Sequence, residues 1–128
     1  MPWKIDHTYD PELEVANGRF VDVKLQTPAD VERWKREAEE QYIAIGKRVD
    51  LLVDLDGLEV SASVRHAWTL ARRYLADRYL GRIYRYNGKA WTRTLIYTGA
   101  VLDNAGGEVY ATREAAVAAL MADRERQR

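Results

Sequence analysis

Two aspartates at the end of an apolar run are the residues of this chain best suited to hold a metal ion. Asp54 and Asp56 follow the apolar residues 51–53, and Gly57 comes next. Open α/β sheets bind ligands at the carboxyl ends of their strands, where paired carboxylates can hold Mg²⁺. A turn at Asp56-Gly57 explains one carboxylate more simply. Because no phosphate-binding loop, third acidic group or nucleophile motif accompanies the pair, we expect no metal site here.

Ser61 and Ser63 precede an amphipathic segment that we predict to be the second helix. A phosphate on either hydroxyl would meet the free N–H groups at the start of that helix and the positive end of its dipole. Serine at this position ordinarily acts as an N-cap, which needs no modification. The two serines are therefore candidate phosphoacceptors or helix caps.

Arginine and tyrosine are concentrated between residues 72 and 86. Guanidinium groups and aromatic faces could hold a phosphate, a nucleotide or an acidic partner. Alternatively, the arginines are solvated and the tyrosines cover the edge of the core. With the neighbouring tryptophans and the aspartate pair, the candidate ligand or partner surface comprises Asp54, Asp56, Trp68, Arg72, Tyr84, Arg85 and Trp91.

The chain offers little else for catalysis. His7 and His66 are its two histidines, and His7, between polar neighbours, is expected at the surface. No serine, histidine and aspartate spacing suggests a triad, and the absence of cysteine excludes a disulfide, a thiol nucleophile and a Cys-ligated zinc. We predict no catalytic residue, no metal and no cofactor.

Length and charge narrow the class of protein. The 128 residues, 47% of them apolar, suit a single domain over residues 1–128, with an N-terminal strand or extension (1–12) and a frayed tail (122–128). The 20 basic and 20 acidic residues cancel, which argues against a nucleic-acid partner. With neither a signal sequence nor an apolar run of membrane-spanning length, we expect a cytoplasmic protein.

The first half of the chain predicts a β-hairpin followed by a helix. Asn17-Gly18 suits a type I′ turn between residues 13–16 and a second strand over residues 19–25. Thr27, Pro28 and Asp30 have the types expected at the cap, first position and capping box of a helix, and Gly46 stops it. The apolar stripe of this first helix is Val31, Trp34, Ala38, Tyr42 and Ile45.

The second half alternates strands and helices. Residues 49–55 read as a central parallel strand covered on both faces. A second helix ends at Gly81, a strand follows at residues 83–86, and Thr112 caps a final helix after a short strand at residues 108–111. The stripe of the second helix is Val64, Ala67, Trp68, Ala71, Leu75 and Tyr79.

Residues 91–103 are ambiguous. Asn87-Gly88 suits a second hairpin turn, which would make residues 91–97 a returning strand. In the alternative helix, Leu95, Ile96 and Gly99 share one face with Leu102. Periodicity alone does not decide between the two.

The order of elements resembles the STAS (SpoIIAA-like) family, the anti-sigma-factor-antagonist fold. Residues 51–58 (LLVDLDGL) resemble its central strand, residues 95–99 (LIYTG) its third helix and residues 109–120 (VYATREAAVAAL) its closing strand and helix. The resemblance implies an α/β domain with a mixed sheet of about five strands, an N-terminal β-hairpin and four helices. It favours a helix over residues 91–103. Residues 59–64 (EVSASV) lack the Asp and Gly of the family's phosphorylated Asp-Ser-Ser/Thr-Gly sequence.

Two functions of different classes follow. The resemblance implies a non-enzymatic, regulatory interaction module that binds a protein partner or a second copy of itself through the surface around the second helix. The alternative is a small apolar ligand or a lipid, held in a pocket lined by Trp68, Tyr84 and Trp91. An enzyme using Asp54 and Asp56 with a metal is disfavoured because the required partner groups are absent.

Overall fold

The computed structural model describes residues 3–102 and 108–127 of the chain. Over those residues the chain forms a mixed five-stranded sheet, a second sheet of two short strands and four α-helices. The expected α/β class with a mixed sheet is therefore confirmed. In spatial order the main sheet consists of β1 (Lys4–Asp10), β2 (Val15–Val21), β4 (Val49–Asp54), β6 (Leu80–Tyr86) and β7 (Val109–Tyr110); the small sheet pairs β3 (Val23–Leu25) with β5 (Leu58–Val60).

Helices cover both faces of the main sheet. Helices α1 (Pro28–Ile45) and α2 (Arg65–Tyr79) pack on one face, and α4 (Arg113–Arg126) packs on the other. Helix α3 (Ala90–Leu102) packs against α2 and β5. Strand β1 is antiparallel to β2, whereas the pairs from β2 through β7 are parallel. The continuous apolar run of β4 is explained by this burial on both faces. Within the described part of the chain, no helix is both long enough and apolar enough to cross a bilayer.

The N-terminal hairpin is present, but its expected turn is wrong. The chain turns at residues 11–14, where Asp10 Oδ1 accepts the backbone N–H groups of Glu12 (2.9 Å) and Leu13 (3.2 Å). Asn17-Gly18 lies inside β2 instead. Glycine at position 18 leaves room for the imidazole of its cross-strand partner His7, which would lie 3.0 Å from a Cβ at this position. The local turn signal therefore loses to a packing requirement.

The strand expected over residues 19–25 is broken at Asp22. Asp22 has a φ of 50°, and it separates β2 from β3, which pairs with β5 in the small sheet. The break reverses which side chains face inward: Val21 is exposed, whereas Phe20 is buried together with Val23. The regular alternation expected of a single strand over residues 19–25 is therefore interrupted at Asp22.

Helix α1 begins as predicted. Thr27 Oγ1 accepts the Asp30 N–H at 3.2 Å, and Asp30 Oδ2 accepts the Thr27 N–H at 3.1 Å, which completes the capping box. Gly46 ends the helix in the left-handed conformation. The four buried residues of the predicted stripe pack on the sheet: Val31, Trp34, Ala38 and Tyr42.

We expect Thr27→Ala to lower the free energy of unfolding by about 1 kcal/mol, because the variant loses the hydroxyl that accepts the Asp30 backbone N–H at the start of α1. Urea unfolding followed by circular dichroism measures the change. The control is Thr94→Ala, an exposed hydroxyl in α3 that bonds only the carbonyl one turn before it. An equally large loss of unfolding free energy in Thr94→Ala would show that the effect in Thr27→Ala does not come from the helix cap.

Three further expectations are corrected or decided by the fold. Gly81 does not stop α2; it lies in β6, where a Cβ would come within 2.4 Å of the Asp50 carboxylate. Residues 90–102 are helical, so the hairpin at Asn87-Gly88 is wrong, and this turn instead leads the chain out of the sheet. The tail expected to fray from residue 122 is helical through Arg126.

Candidate functional site

A partly open cavity lies between the main sheet and helices α1 and α2. Its volume is about 50 Å³. The walls are mainly apolar, with Trp34 and Trp68 in edge contact at a ring separation of 6.3 Å. The polar side chains in the walls are His7, Tyr42, Arg72 and Arg85.

Arg85 is the most unusual residue of the cavity. Strand β6 places alternate side chains on opposite faces, and residue 85 faces α1 and α2 rather than α4. The side chain is 7% exposed, and within the described residues no hydrogen bond or ion pair is made by its guanidinium. Burial lowers the pKa of Arg85 to about 10. The sheet therefore holds a desolvated positive charge against an apolar cavity.

Tyr42 and His7 form a hydrogen-bonded chain along the same wall. The Tyr42 hydroxyl lies 3.1 Å from His7 Nε2, and His7 Nδ1 lies 2.6 Å from Gln41 Oε1. Gln41 Nε2 donates to the carbonyl of Ile5 at 2.7 Å, so its Oε1 is left to accept from His7. His7 Nδ1 therefore carries a proton, and in the neutral imidazole, which burial favours by lowering the pKa of His7, Nε2 accepts the Tyr42 hydrogen. Burial raises the pKa of Tyr42, and the nearby Arg85 opposes that rise.

Arg72 and Trp68 reach the cavity from α2. The guanidinium carbon of Arg72 lies 4.6 Å from the ring centroid of Trp68, a cation–π contact. Gly99 of α3 makes room for this arrangement, because a Cβ there would lie 2.9 Å from Arg72 Nη2 and 2.8 Å from Thr69 Oγ1. Helix α3 thus closes tightly over the outer side of α2.

The expectation that His7 is a surface residue is wrong. It is largely buried beneath α1, and its ring meets that of Tyr42 edge-on at 4.7 Å. The type and polar neighbours of His7 give no warning of this position. The available signal is the alternation of Ile5, His7 and Tyr9 on one face of a strand, with a glycine opposite His7.

The free energy of unfolding should fall as the pH drops below about 6.5. Burial lowers the pKa of His7 below its ordinary 6.5, and this outweighs the smaller opposing effects of Gln41 and Asp6. Below pH 6.5 the unfolded chain then binds more protons than the folded one, so stability is lost until the folded pKa is passed. The slope from this group should reach at most about 1.4 kcal/mol per pH unit.

Urea unfolding between about pH 5 and pH 7.5 measures that slope. We expect His7→Gln to remove most of it, because glutamine can still accept from Tyr42 and does not titrate. The exposed histidine supplies a matched control, and His66→Gln should retain the slope. An unchanged slope in His7→Gln would contradict the assignment.

The structure brings three of the sequence-predicted surface residues together and separates the others. Trp68, Arg72 and Arg85 line the cavity. Tyr84 lies on the opposite face of the sheet, where its hydroxyl donates to Asp123 Oδ2 at 2.6 Å. Trp91 lies on the outside of α3, and its indole N–H donates to the carbonyl of Val60 at 3.1 Å. The expected pocket of Trp68, Tyr84 and Trp91 is therefore wrong.

The two aspartates shape a turn. Asp54 Oδ1 accepts from the Asp56 backbone N–H (3.0 Å) and from Asn87 Nδ2 (3.2 Å). Asp56 Oδ1 accepts the Gly88 N–H at 3.1 Å. These bonds tie the β4–β5 turn to the segment after β6. No cluster of three metal-binding side chains is found among residues 3–102 and 108–127.

Ser61 and Ser63 do not cap α2 with their side chains. Ser61 precedes a short 3₁₀ turn (Ala62–Val64) without a side-chain cap bond, and Val64 occupies the cap position of α2. The two hydroxyl oxygens lie 3.0 Å apart and bond each other. Ser61 also lines a surface groove of about 310 Å³ with Lys24, Gln26, Glu59, Val60, Lys89, Trp91 and Thr92.

Comparisons of this chain with protein-family models, with curated proteins and with solved structures give no match.

Proposed function

We propose that this domain is a non-enzymatic binding module that holds a small organic carboxylate in the cavity between the main sheet and helices α1 and α2. The observation that supports this proposal is Arg85, a buried guanidinium that faces the cavity and makes no hydrogen bond or ion pair with another described residue. A buried charge is ordinarily paired, because leaving water costs several kcal/mol. An anion in the cavity would supply the missing partner.

The shape and lining of the cavity narrow the ligand further. A guanidinium has the donor geometry to hold both oxygens of a carboxylate. Apart from His7, Tyr42 and Arg72, the other lining residues are aliphatic and aromatic, so most of the wall favours an apolar body. The cavity is well below the engineered cavity of about 150 Å³ that takes up benzene. A short monocarboxylate of the size of propionate fits these limits.

This proposal modifies the small apolar ligand expected from the sequence. A wholly apolar molecule would pack against the apolar walls, but it would leave the buried charge of Arg85 without a partner. A cation would be repelled by Arg85 and by Arg72 in the same wall. An amphipathic anion satisfies both kinds of surface.

Isothermal titration calorimetry with propionate tests the proposal directly, with propionamide as a neutral ligand of the same shape. We expect saturable binding of propionate, and binding at least tenfold weaker for propionamide. Arg85→Met should abolish propionate binding. Arg82→Met is the matched control, because Arg82 is an exposed arginine of the same strand whose ion pair is with Asp123 outside the cavity.

Equal affinity for the acid and the amide would reject an anion site. Failure of propionate, acetate and butyrate to bind the wild-type protein would reject the proposed function. Loss of binding in Arg82→Met as well as in Arg85→Met would point to a general surface charge effect.

A regulatory module of the STAS type that self-associates is the second candidate. One observation favours it: Trp91 is 53% exposed beside Ser61 in the surface groove, next to the start of α2. Large exposed aromatic side chains are common anchors of protein interfaces. Sedimentation equilibrium of the wild type and of Trp91→Ser tests it, since a dimer anchored by Trp91 should dissociate in the variant. A monomer at all concentrations would reject a homodimer.

A further inference from the structure

We propose that anion binding in the cavity is coupled to the uptake of one proton by His7, with the Tyr42 hydroxyl linking His7 to the bound carboxylate. The inference rests on the proposed function and adds to it a second recognition element and a dependence on pH. It assigns roles to two residues, His7 and Tyr42, that sequence reasoning did not place in a site.

In the ligand-free protein the polar hydrogen atoms of His7 and Tyr42 are already used in hydrogen bonds. The orientation of the Gln41 amide is set by its bond to the Ile5 carbonyl, so His7 Nδ1–H donates to Gln41 Oε1. His7 Nε2 consequently has a lone pair and accepts from the Tyr42 hydroxyl. Tyr42 has one hydrogen to give, and His7 uses it.

A carboxylate against Arg85 competes for that same hydrogen. Tyr42 and Arg85 line the same cavity and interact electrostatically, and the proposal places the anion between the guanidinium and the phenol. A carboxylate is a stronger acceptor than a neutral imidazole. If the hydroxyl turns to the anion, His7 Nε2 is left buried without a donor. A proton on Nε2 repairs this, because Nε2–H then donates to the Tyr42 oxygen while Tyr42 O–H donates to the ligand.

The charges around His7 favour the same exchange. The groups that face it or share its cavity are Asp6 on its own strand, Tyr42 on α1, Arg72 on α2 and Arg85 on β6. In the ligand-free protein, burial disfavours the imidazolium, and the two cavity arginines add positive potential. A bound anion cancels part of that potential, so the pKa of His7 rises on binding. By linkage, the complex takes up a proton, and binding tightens as the pH falls.

Calorimetry of propionate binding in two buffers of different ionisation enthalpy counts the protons taken up. At about pH 7, where simple carboxylic acids are ionised, we expect an uptake between zero and one proton. The dissociation constant should rise by up to tenfold per pH unit between about pH 6 and pH 8. His7→Gln and Tyr42→Phe should each bind propionate with little proton uptake and a flat pH profile. His66→Gln, at the exposed histidine, should behave as the wild type.

The outcomes separate this inference from the function on which it rests. Binding of propionate by the wild type without proton uptake would overturn the coupling and leave the anion site standing. Uptake that persists in His7→Gln would equally overturn it. Absence of propionate binding at every pH would overturn both. Tyr42→Phe keeps the aromatic ring packed on the core, so it still tests the coupling if His7→Gln does not fold.

Discussion

Arg85→Met is expected to raise the free energy of unfolding of the ligand-free protein by about 2 kcal/mol while it abolishes carboxylate binding. The lowering of the pKa of Arg85 to about 10 by burial corresponds to a cost of roughly 3 kcal/mol for keeping the charge inside the fold. Methionine is unbranched and apolar, and it can fill the same space beside Trp34 and Trp68. Part of the gain is lost to imperfect packing.

Urea unfolding of dialysed protein, with and without propionate, measures both halves of this expectation. The wild type should be stabilised by propionate, whereas Arg85→Met should start more stable and respond to no ligand. Arg85→Lys is a useful companion, because a buried lysine readily loses its proton and offers no planar fork to a carboxylate. We expect it to bind propionate at least tenfold more weakly than the wild type. A methionine variant less stable than the wild type would mean that Arg85 contributes favourable interactions to the ligand-free fold.

Gly57→Ala is expected to lower the free energy of unfolding by about 3 kcal/mol or more. Gly57 has a φ of 82°, which costs an L-residue about 1–2 kcal/mol. A Cβ would also lie 2.2 Å from the carbonyl oxygen of Phe20, a backbone atom that cannot swing away. The backbone there is further held by the bond from the Val23 N–H to the Gly57 carbonyl at 2.9 Å.

Gly46→Ala separates these two effects. Gly46 has nearly the same φ, 81°, but the nearest atom to its Cβ would be 3.9 Å away. Gly46→Ala should therefore lower the free energy of unfolding only by the cost of a positive φ in an L-residue, about 1–2 kcal/mol. The difference between the two alanine variants, measured by urea unfolding at one pH, gives the cost of the contact with Phe20. Equal losses would show that the β4–β5 turn can move away from β2.

Where local chemistry decides the structure, the sequence was sufficient. The capping box of Thr27 and Asp30 requires only groups within four residues, and it forms as predicted. The failures come from distant contacts. A Cβ at Gly18 would crowd the His7 ring across the strand pair, and a Cβ at Gly81 would meet the Asp50 carboxylate. Both neighbours are distant in sequence, so the residues next to either glycine do not contain that information.

The candidate site also combines features that the local sequence predicts with features that depend on distant contacts. Composition alone drew attention to residues 72–86, and Arg72 and Arg85 do line the cavity. Strand alternation could have separated Tyr84 from Arg85, since adjacent residues of a strand face opposite sides. His7 and Tyr42 could not be joined in advance, because their contact depends on how α1 crosses β1. The buried arginine itself breaks the rule that charge lies outside, which is the expected mark of a functional position.

The hydrogen bonds of Arg124 have a consequence for the order in which the protein is completed during translation. Its guanidinium donates to the carbonyls of Leu13 and Glu14, more than a hundred positions earlier, and also to Asp50 Oδ2 at 3.1 Å. A nascent chain leaves the ribosome from its N-terminus, so the first hairpin emerges long before the residue that holds its turn. Until Arg124 is synthesised and α4 docks, the hairpin turn and the α4 face of the central strands lack their cover. A chaperone that shields apolar strands during synthesis would therefore act in that interval, and ribosome-bound chains halted before residue 113 should expose the α4 face to it.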